Sequence, residues 1–322
     1  MPEVYPTLWR GGALSRIIRF FQYPPMPDTF PQRRVLPTLL LLIAAASWGG
    51  NWVAARAVIL EVPPFALSFW RWALASAILL CFAAGQLRED APLIRRHLPA
   101  LFAFGVIGAG GFTLLGYWGV RYTTAVNATL LNSSLPLFVV PLSWWLLKLT
   151  VSGRQLAGLT LSLAGVATII SAGEPQTLAR FSLNPGDLLL LGGALLWAIY
   201  TVLLKWRPPL RPLSFLFTVV AAAAAFSLPF YLWEISAGGT MTVSPGTIAA
   251  IGYLAVFPSI VAYICWNHAV AVVGPNVAGF FNPVIPVFGT LFAVTLLGEP
   301  FRLYHLAGFA LVLGGVVLTS KR

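Results

Sequence analysis

Long apolar runs make up most of the sequence, and their length restricts the fold more than any other feature. Hydrophobic residues account for 58% of the 322 residues and charged residues for 9%, compared with about 25% charged residues in soluble domains. A run of roughly 20 apolar residues can cross a bilayer as a helix, in which all backbone polar groups are satisfied. We therefore predict an all-α membrane protein with ten transmembrane helices, at residues 36–58, 64–85, 99–120, 124–147, 155–172, 187–206, 212–235, 247–270, 276–297 and 303–319.

The basic residues predict how the chain is oriented. If the ten runs cross in alternation, fifteen of the 20 Lys and Arg residues lie on the side of the N-terminus, three lie on the other side and two lie within spans. Cytoplasmic loops carry such an excess of positive charge, so both termini are expected to be cytoplasmic, in a bacterial inner membrane. Residues 1–34 are predicted to be a basic cytoplasmic tail. The tail either lies on the membrane surface, or Met26 is the true start and the residues before it are not part of the native protein.

A net charge of +11 would also suit a nucleic-acid-binding protein. The basic residues are instead scattered between apolar runs, so no nucleic-acid partner is expected. The expected partners are the lipid bilayer and a small-molecule substrate, and the oligomeric state is left open. Cys81 and Cys265 both fall inside apolar runs, which makes a disulfide framework improbable.

The second half of the chain repeats the first. Each half holds five predicted spans, an odd number, so the second half enters the bilayer from the opposite side. We therefore predict two inverted five-helix repeats, at 35–174 and 185–320, with a binding site between them near the midplane. The matches at offsets of 149 or 150 pair Ala128 with Ala278, Asn132 with Asn282, Pro136 with Pro286, Trp48 with Trp197, Gly158 with Gly308 and Gly165 with Gly315.

Three segments carry a resemblance to a known family: LWAIYTVLLK, NPVIPVFGTLFAVTLLGEP and HLAGFALVLGGVVL. With the ten spans, they resemble the drug/metabolite transporter superfamily with paired EamA-type domains, and within it the aromatic amino acid exporters of the YddG type. The resemblance implies a transporter. One position departs from the family: its Glu after the ninth span is present as Glu299, but the first-half counterpart is Leu149. If that Glu helps to seal a gate, the two gates should behave differently.

No acidic residue falls in the middle of a predicted span. Proton-driven efflux of organic cations usually relies on a carboxylate at that depth. The sequence also contains no nucleophile motif, phosphate-binding glycine loop or metal-binding cluster, so we expect no enzymatic activity, no cofactor and no metal. The acidic residues are Glu3, Asp28, Glu61, Glu89, Asp90, Glu174, Asp187, Glu234 and Glu299.

The repeated Asn–Pro pattern indicates a substrate site. A proline cannot donate to the carbonyl four residues earlier, so the carbonyls of Asn132 and Asn282 are expected to lack that donor, beside their own amide side chains. Such groups require a protein partner or a water-filled cavity. The two asparagines are candidates for binding both ends of a zwitterion, or alternatively they hold packed helices together. The candidate hinges are Pro136, Pro141, Pro283 and Pro286.

Arg71 lies within the second span, where its charge is costly. It is a candidate for binding a substrate carboxylate. The alternative is a structural Arg that bonds to backbone carbonyls or extends outward to pair with Glu61. His268, beside Asn267, is a candidate proton relay because histidine titrates near neutrality. The alternative for His268 is an interfacial residue bonded to a neighbouring helix.

Aromatic side chains recur at helical spacing in the first, third, sixth and eighth spans. They either face a cavity, where they stack on a ring or hold a cation, or belong to the aromatic belt at the membrane interface. The candidates for the cavity are Trp48, Trp52, Tyr117, Trp118, Trp197, Tyr200, Tyr263 and Trp266.

Together these features predict an inner-membrane exporter of amino acids that works by alternating access. Its substrates are expected to be aromatic or hydrophobic, with flat aromatic cations as a further possibility. Transport would follow the substrate gradient or couple weakly to protons through His268. One alternative is a sugar-phosphate or nucleotide-sugar exchanger of the same superfamily, which would need several basic residues in the cavity. Another is a membrane scaffold or lipid-handling protein.

Overall fold

The computed structural model describes residues 35–58, 60–123, 131, 133–174, 176, 184–298 and 300–320. Its described residues form helices, turns and connections, with no strand among them. The predicted tail at 1–34 and the candidate Asn132 lie outside the described residues, as does Glu299.

The helices begin where proline or a capping side chain favours a first turn. Proline occupies the first position of five of them, where its missing N–H costs nothing. Ser152 and Asn184 form capping boxes with Gln155 and Asp187. The helices are α1 Val35–Ala57, α2 Pro64–Gly105, α3 Gly111–Gly119, α4 Pro136–Leu147, α5 Gly153–Ile170, α6 Pro185–Leu203, α7 Pro212–Ser236, α8 Pro245–Val256, α9 Ala262–Gly279, α10 Val284–Leu297 and α11 Leu303–Ser320.

Two segments of the helices are π-helical and one is a 3₁₀ turn. The π-helical segment Val106–Gly110 joins α2 to α3, and Phe257–Val261 joins α8 to α9. The two segments lie 151 residues apart, so they occupy equivalent places in the two halves. The 3₁₀ turn Leu204–Trp206 extends α6.

Six helical segments of the described residues are long and apolar enough to cross a membrane, and one of them, Pro245–Gly279, is kinked at Gly274. The longest, Pro64–Gly119, has 56 residues and contains more than one crossing. The Trp72 indole donates to Thr113, 41 residues further on, at 3.0 Å, whereas a straight helix would separate them by about 60 Å. The chain therefore folds back within this segment, and its charged stretch 86–97 lies midway. The total of ten crossings stays a prediction.

The helix expected around the second Asn–Pro motif is interrupted. Residues 280–283 form a turn between α9 and α10, so Ala278, Asn282 and Pro286 do not share one continuous helix. Pro286 has no N–H to donate to the Asn282 carbonyl, and the protein satisfies this carbonyl through the N–H of Ile285 at 3.0 Å. The turn replaces bonds of four-residue spacing with bonds of three-residue spacing, which satisfies the carbonyl without the proline.

The main contacts between helices recur when every helix is replaced by its counterpart in the other half. The most extensive contacts join α2 to α7 and α5 to α11, which are equivalent helices of the two halves. Helix α1 packs on α9 and α10, and its equivalent α6 packs on α3 and α4. The packing therefore has the pattern of a two-fold repeat.

The α2–α7 pair is also joined by carboxylates at both of its ends. Glu234, near the end of α7, accepts hydrogen bonds from the backbone N–H of Ala66 (2.8 Å) and Phe65 (3.4 Å) in the first turn of α2. At the other end, Asp90 accepts from the backbone N–H of Arg211, whose guanidinium pairs with Glu89. This pairing lowers the pKa of the Glu89 carboxyl. Because the two helices are tied at both ends, they are held as one unit.

Glycines allow α5 and α11 to approach closely. Gly158 faces Gly315, and Gly165 faces Gly308. A Cβ added at Gly315 would lie 2.4 Å from the Gly158 carbonyl oxygen and 2.2 Å from the Ser162 hydroxyl. Such contacts between small residues are typical of helix packing in membranes.

Large apolar side chains face outward, as expected for lipid contact. Val35, Phe82, Trp233, Leu296 and Leu303 are all more than 60% exposed. Polar side chains such as Ser68 and Thr113 are buried inside the bundle instead. A surface that exposes so many large apolar side chains agrees with a membrane-spanning protein.

We expect Gly315→Ala to lower the unfolding temperature measured in detergent, because the added methyl group overlaps Gly158 and Ser162. Overpacking of this kind costs about 1–3 kcal/mol. The matched control is Gly314→Ala on the same helix, where the nearest atom, from Leu161, is 3.7 Å away. Without the clash, replacing glycine by alanine favours a helix. Equal unfolding temperatures for the two variants would contradict the role assigned to this contact.

Candidate functional site: a central cavity with one buried arginine

A cavity lies between the two halves. Its empty volume is about 570 Å³, part of which is open to solvent. Helices α1, α2, α3, α6, α9 and α10 line it, together with the segments that precede α4 and α10. Seven of the predicted site residues line this cavity: Trp48, Trp52, Arg71, Tyr117, Trp197, Tyr263 and Asn282.

Five other predicted residues do not line it. Tyr200, Trp266 and Asn267 are buried in the protein behind the cavity wall. Trp118 is 38% exposed and packs on Phe65. His268 is half-buried.

Sequence reasoning missed six lining residues. Asn51 had a signal, since it lies 149 residues before Tyr200, the same offset that pairs Trp48 with Trp197. The other five residues carry no signal in the sequence, because apolar and small residues are common throughout the spans. The lining residues missed are Asn51, Phe112, Thr113, Gly116, Leu135 and Ile285.

The two π-helical segments supply backbone acceptors to the aromatic residues of the cavity. A π-helical turn shifts the hydrogen-bond register and disturbs the regular pairing of carbonyls. The Tyr263 hydroxyl donates to the carbonyl of Gly108 at 2.5 Å, and the Trp48 indole donates to the carbonyl of Pro258 at 3.1 Å. Each ring is thus held by the π-helical segment of one half, at equivalent places in the repeat.

Arg71 is the best-connected side chain of the site. It is 3% exposed. Its Nη1 donates to Asn51 Oδ1 (2.8 Å) and Tyr117 Oη (2.6 Å), while Nε and Nη2 donate to Ser259 Oγ (3.0 and 2.8 Å). The guanidinium also lies 4.5 Å from the centre of the Trp72 ring. These contacts fix the cation in the cavity wall.

The alternative contacts considered for Arg71 are not formed. Within the described part of the chain, its bonds go to side-chain oxygens and none goes to a backbone carbonyl. Glu61 accepts instead from the hydroxyls of Ser244 and Thr247, each at 2.6 Å. These two bonds lower the pKa of the Glu61 carboxyl. Arg71 therefore does not extend outward to this acid.

The cavity has a positive charge that no acid among the described residues compensates. Arg71 forms no ion pair within the described part of the chain, and no lining residue is acidic. Residues 124–130 and Asn132, which precede α4 and lie outside the described residues, contain no charged side chain. The acids among the described residues lie in connections, in the charged stretch of α2 or near helix ends: Glu61, Glu89, Asp90, Glu174, Asp187 and Glu234.

The two halves contain the same hydrogen bond with its residues exchanged. In the first half, Tyr117 donates to Asn51 at 3.2 Å. In the second half, Tyr200, the counterpart of Asn51, donates to Asn267, the counterpart of Tyr117, at 2.9 Å. Arg71 adds to the first pair only, since Ala221 occupies the position 150 residues later. The cation is therefore an asymmetric feature of an otherwise repeated arrangement.

Asn282 contributes an acceptor without a partner. It is 1% exposed, its Nδ2 donates to the Gly279 carbonyl at 3.0 Å, and its Oδ1 has no hydrogen-bond partner among the described residues. A buried amide oxygen in that state is costly, and Asn282 lines the cavity. The side chain can therefore accept a bond from a ligand.

An aromatic wall occupies the middle of the site. The rings of Trp48 and Trp197, which are repeat counterparts, meet edge to face with centroids 5.1 Å apart. Tyr263 and Trp266 pack on both of them at 5.2–6.3 Å. Because the rings fix one another, they offer a rigid apolar surface to a ligand.

The model of a family described as the EamA-like transporter family matches the chain twice, over residues 36–171 and 184–321. The chain belongs to this family. It is thus a member of the drug/metabolite transporter superfamily with two EamA-like domains, a multi-pass membrane protein.

The relatives of this EamA-like protein include named transporters. An uncharacterized transporter of Archaeoglobus fulgidus is 32% identical, with 88% of this chain and 97% of the relative covered. A "probable terminal-alkyne amino-acid exporter" of Streptantibioticus cattleyicolor is 28% identical (88% and 92% covered). A "probable amino-acid metabolite efflux pump" of Salmonella typhimurium is 26% identical (87% and 93% covered). These names point to a transporter and not to an enzyme.

A solved crystal structure shares the fold of this EamA-like protein. It superposes with a TM-score of 0.73 at 21% sequence identity, with 88% of this chain and 96% of the other covered.

The exchanged Tyr–Asn bonds give a test of how Arg71 is held. We expect Tyr117→Phe to destabilise this EamA-like protein more than Tyr200→Phe does, as measured by thermal unfolding in detergent. The first change removes a bond from a charged group, worth about 1.5–3 kcal/mol, and the second removes a neutral bond worth about 1 kcal/mol. A larger loss for Tyr200→Phe would contradict the contacts assigned to Arg71.

Proposed function

We propose that the protein exports amino acids with aromatic or hydrophobic side chains. The observation that carries this proposal is Arg71, a buried cation in the cavity wall with no acidic partner in the described part of the chain. A cation that has lost its water and lacks a counter-ion attracts an anion strongly. A substrate carboxylate provides that anion.

The chemistry of the cavity suits each part of an amino acid. The Arg71 guanidinium has five N–H donors, and four hydrogen bonds from it are formed within the protein. A carboxylate takes the fifth donor and displaces neutral acceptors from the others. The amine donates to Asn282 Oδ1, and the side chain stacks on Trp48 and Trp197.

The names of two relatives support the amino-acid class. One is called an amino-acid exporter and another an amino-acid metabolite efflux pump. The sugar-phosphate alternative receives no such support, because it needs several basic residues and Arg71 is the one among those that line the cavity. Flat aromatic cations also fit poorly, since Arg71 repels them.

The proposed mechanism is alternating access between two inverted five-span repeats. Its support is the packing pattern, which is preserved when the halves are exchanged, and the placement of the cavity between them. The α2–α7 and α5–α11 pairs would each move as a unit. Bending would occur at Pro136 and Pro141, which begin α4 and lie within it, and at Pro283 and Pro286, which lie just before α10 and in its first turn.

A layer of buried rings is proposed to close the cytoplasmic side. Tyr200 packs on the cavity residue Tyr263 at 6.0 Å and on Phe104 at 6.0 Å, and Phe104 packs on Phe215 at 5.3 Å. Phe215 lies in the first turn of α7, which the charge pattern assigns to the cytoplasmic end. Export requires this layer to open before substrate can reach Arg71.

Counterflow of labelled phenylalanine in proteoliposomes tests the proposed function. Arg71→Gln should raise the half-saturation concentration at least about tenfold, because a hydrogen-bonded charge contact worth 1.4 kcal/mol or more is lost. The matched control is Arg56→Gln, which removes an exposed charge at the end of α1 and should leave transport unchanged. Saturation of Arg71→Gln at the wild-type concentration would overturn the assignment.

A further inference from the structure

We propose that the cavity selects for a single negative charge, so that aromatic carboxylates without an amino group are also substrates and the membrane potential drives their export. Aromatic 2-oxo acids are the chemical class meant. The inference rests on the proposed function, since it concerns transport through the same cavity.

The charge of the site favours a ligand with a single negative charge. Arg71 contributes one positive charge, and the described residues that line the cavity include no acid. An aromatic carboxylate brings the loaded cavity to a net charge of zero. A zwitterionic amino acid leaves it at one positive charge, and an amino-acid amide raises it to two. Because an uncompensated charge is costly away from water, the anion is the best-matched ligand.

The cavity binds an ammonium group weakly. Asn282 Oδ1 is an acceptor without a partner among the described residues, but it is neutral. The carboxamide of Asn51 already accepts from Arg71 and Tyr117. The rings of Trp48 and Trp197 attract cations, yet they also pack on any aromatic ring. The site therefore tolerates the amine and does not depend on it.

The membrane potential supplies the driving force for export of an anion. Carrying a net anion outward moves negative charge away from the negative interior of the cell. A potential of about 100 mV then supports a gradient of about 50-fold at equilibrium. Export of such an anion needs no coupled proton, which accounts for a transport cavity lined by no carboxylate.

The test compares three probes of similar shape in proteoliposomes: phenylpyruvate (net charge −1), phenylalanine (zero) and phenylalanine amide (positive). Valinomycin and a potassium gradient set the membrane potential, and protein-free vesicles correct for leakage. We expect phenylpyruvate to move several-fold faster toward the positive side than without a potential. Phenylalanine should move at a rate independent of potential, and the amide should not be carried. Arg71→Gln should abolish the phenylpyruvate current, whereas Arg56→Gln should not.

The outcomes separate this inference from the proposed function. Transport of phenylalanine without transport of phenylpyruvate overturns the inference and leaves the proposed function standing. Transport of neither probe overturns both. Phenylpyruvate transport that ignores the potential overturns the electrogenic mechanism.

A binding measurement on the wild-type protein covers the case in which Arg71→Gln does not fold. Tryptophan fluorescence in detergent reports on Trp48, Trp52 and Trp197, which line the cavity. We expect saturable quenching by phenylpyruvate at concentrations at least tenfold lower than by phenylalanine amide. Equal affinities would overturn the inference.

Discussion

The arrangement of the site depends on keeping one guanidinium charged in a place where charge is costly. Arg71 is surrounded by neutral oxygens that three different elements supply: Asn51 from α1, Tyr117 from α3 and Ser259 from the second π-helical segment. The ring of Trp72, beside it in α2, adds a cation–π contact. Neutral acceptors stabilise a cation without cancelling its charge. The arrangement therefore keeps the charge for a ligand, whereas a buried Asp or Glu in contact with Arg71 would have consumed it.

The polar contacts of the site form where helix geometry is irregular. The π-helical segments supply the carbonyls of Gly108 and Pro258 and the Ser259 hydroxyl, and the turn at 280–283 places Asn282 at the cavity. Regular helices satisfy their own backbone and offer side chains alone. The regular parts have the complementary role. The close packing of α5 on α11 and the tied α2–α7 pair give the rings and the cation a fixed frame.

The sequence predicted the helices well and the site in part. The positions of Trp48, Trp197 and Arg71 at the cavity followed from repeat offsets and from the cost of a charge within a span. The turn at 280–283 was not predicted, because local geometry decides whether the bonds have three- or four-residue spacing, and composition does not report it. Ser259 reaches Arg71 through a π-helical turn and across 188 residues, a contact that no helical periodicity indicates. Asn132 lies outside the described residues, so its role stays a prediction.

The asymmetry of Arg71 links substrate binding to the proposed movement of the halves. Its bonds to Asn51 and Tyr117 lie within the first half, whereas its two bonds to Ser259 cross to the second. A movement that shifts the second π-helical segment relative to α2 would therefore strain or break the Ser259 contacts. Without substrate, losing these contacts leaves two N–H groups of Arg71 without an acceptor, which is costly in a buried site. A substrate carboxylate that replaces Ser259 as the acceptor removes this cost. Because a ligand shifts a conformational equilibrium only by its difference in affinity for the two states, the exchange of Ser259 for a carboxylate provides that difference. Under the proposed function, the contact that would select the substrate would also make the movement depend on its presence.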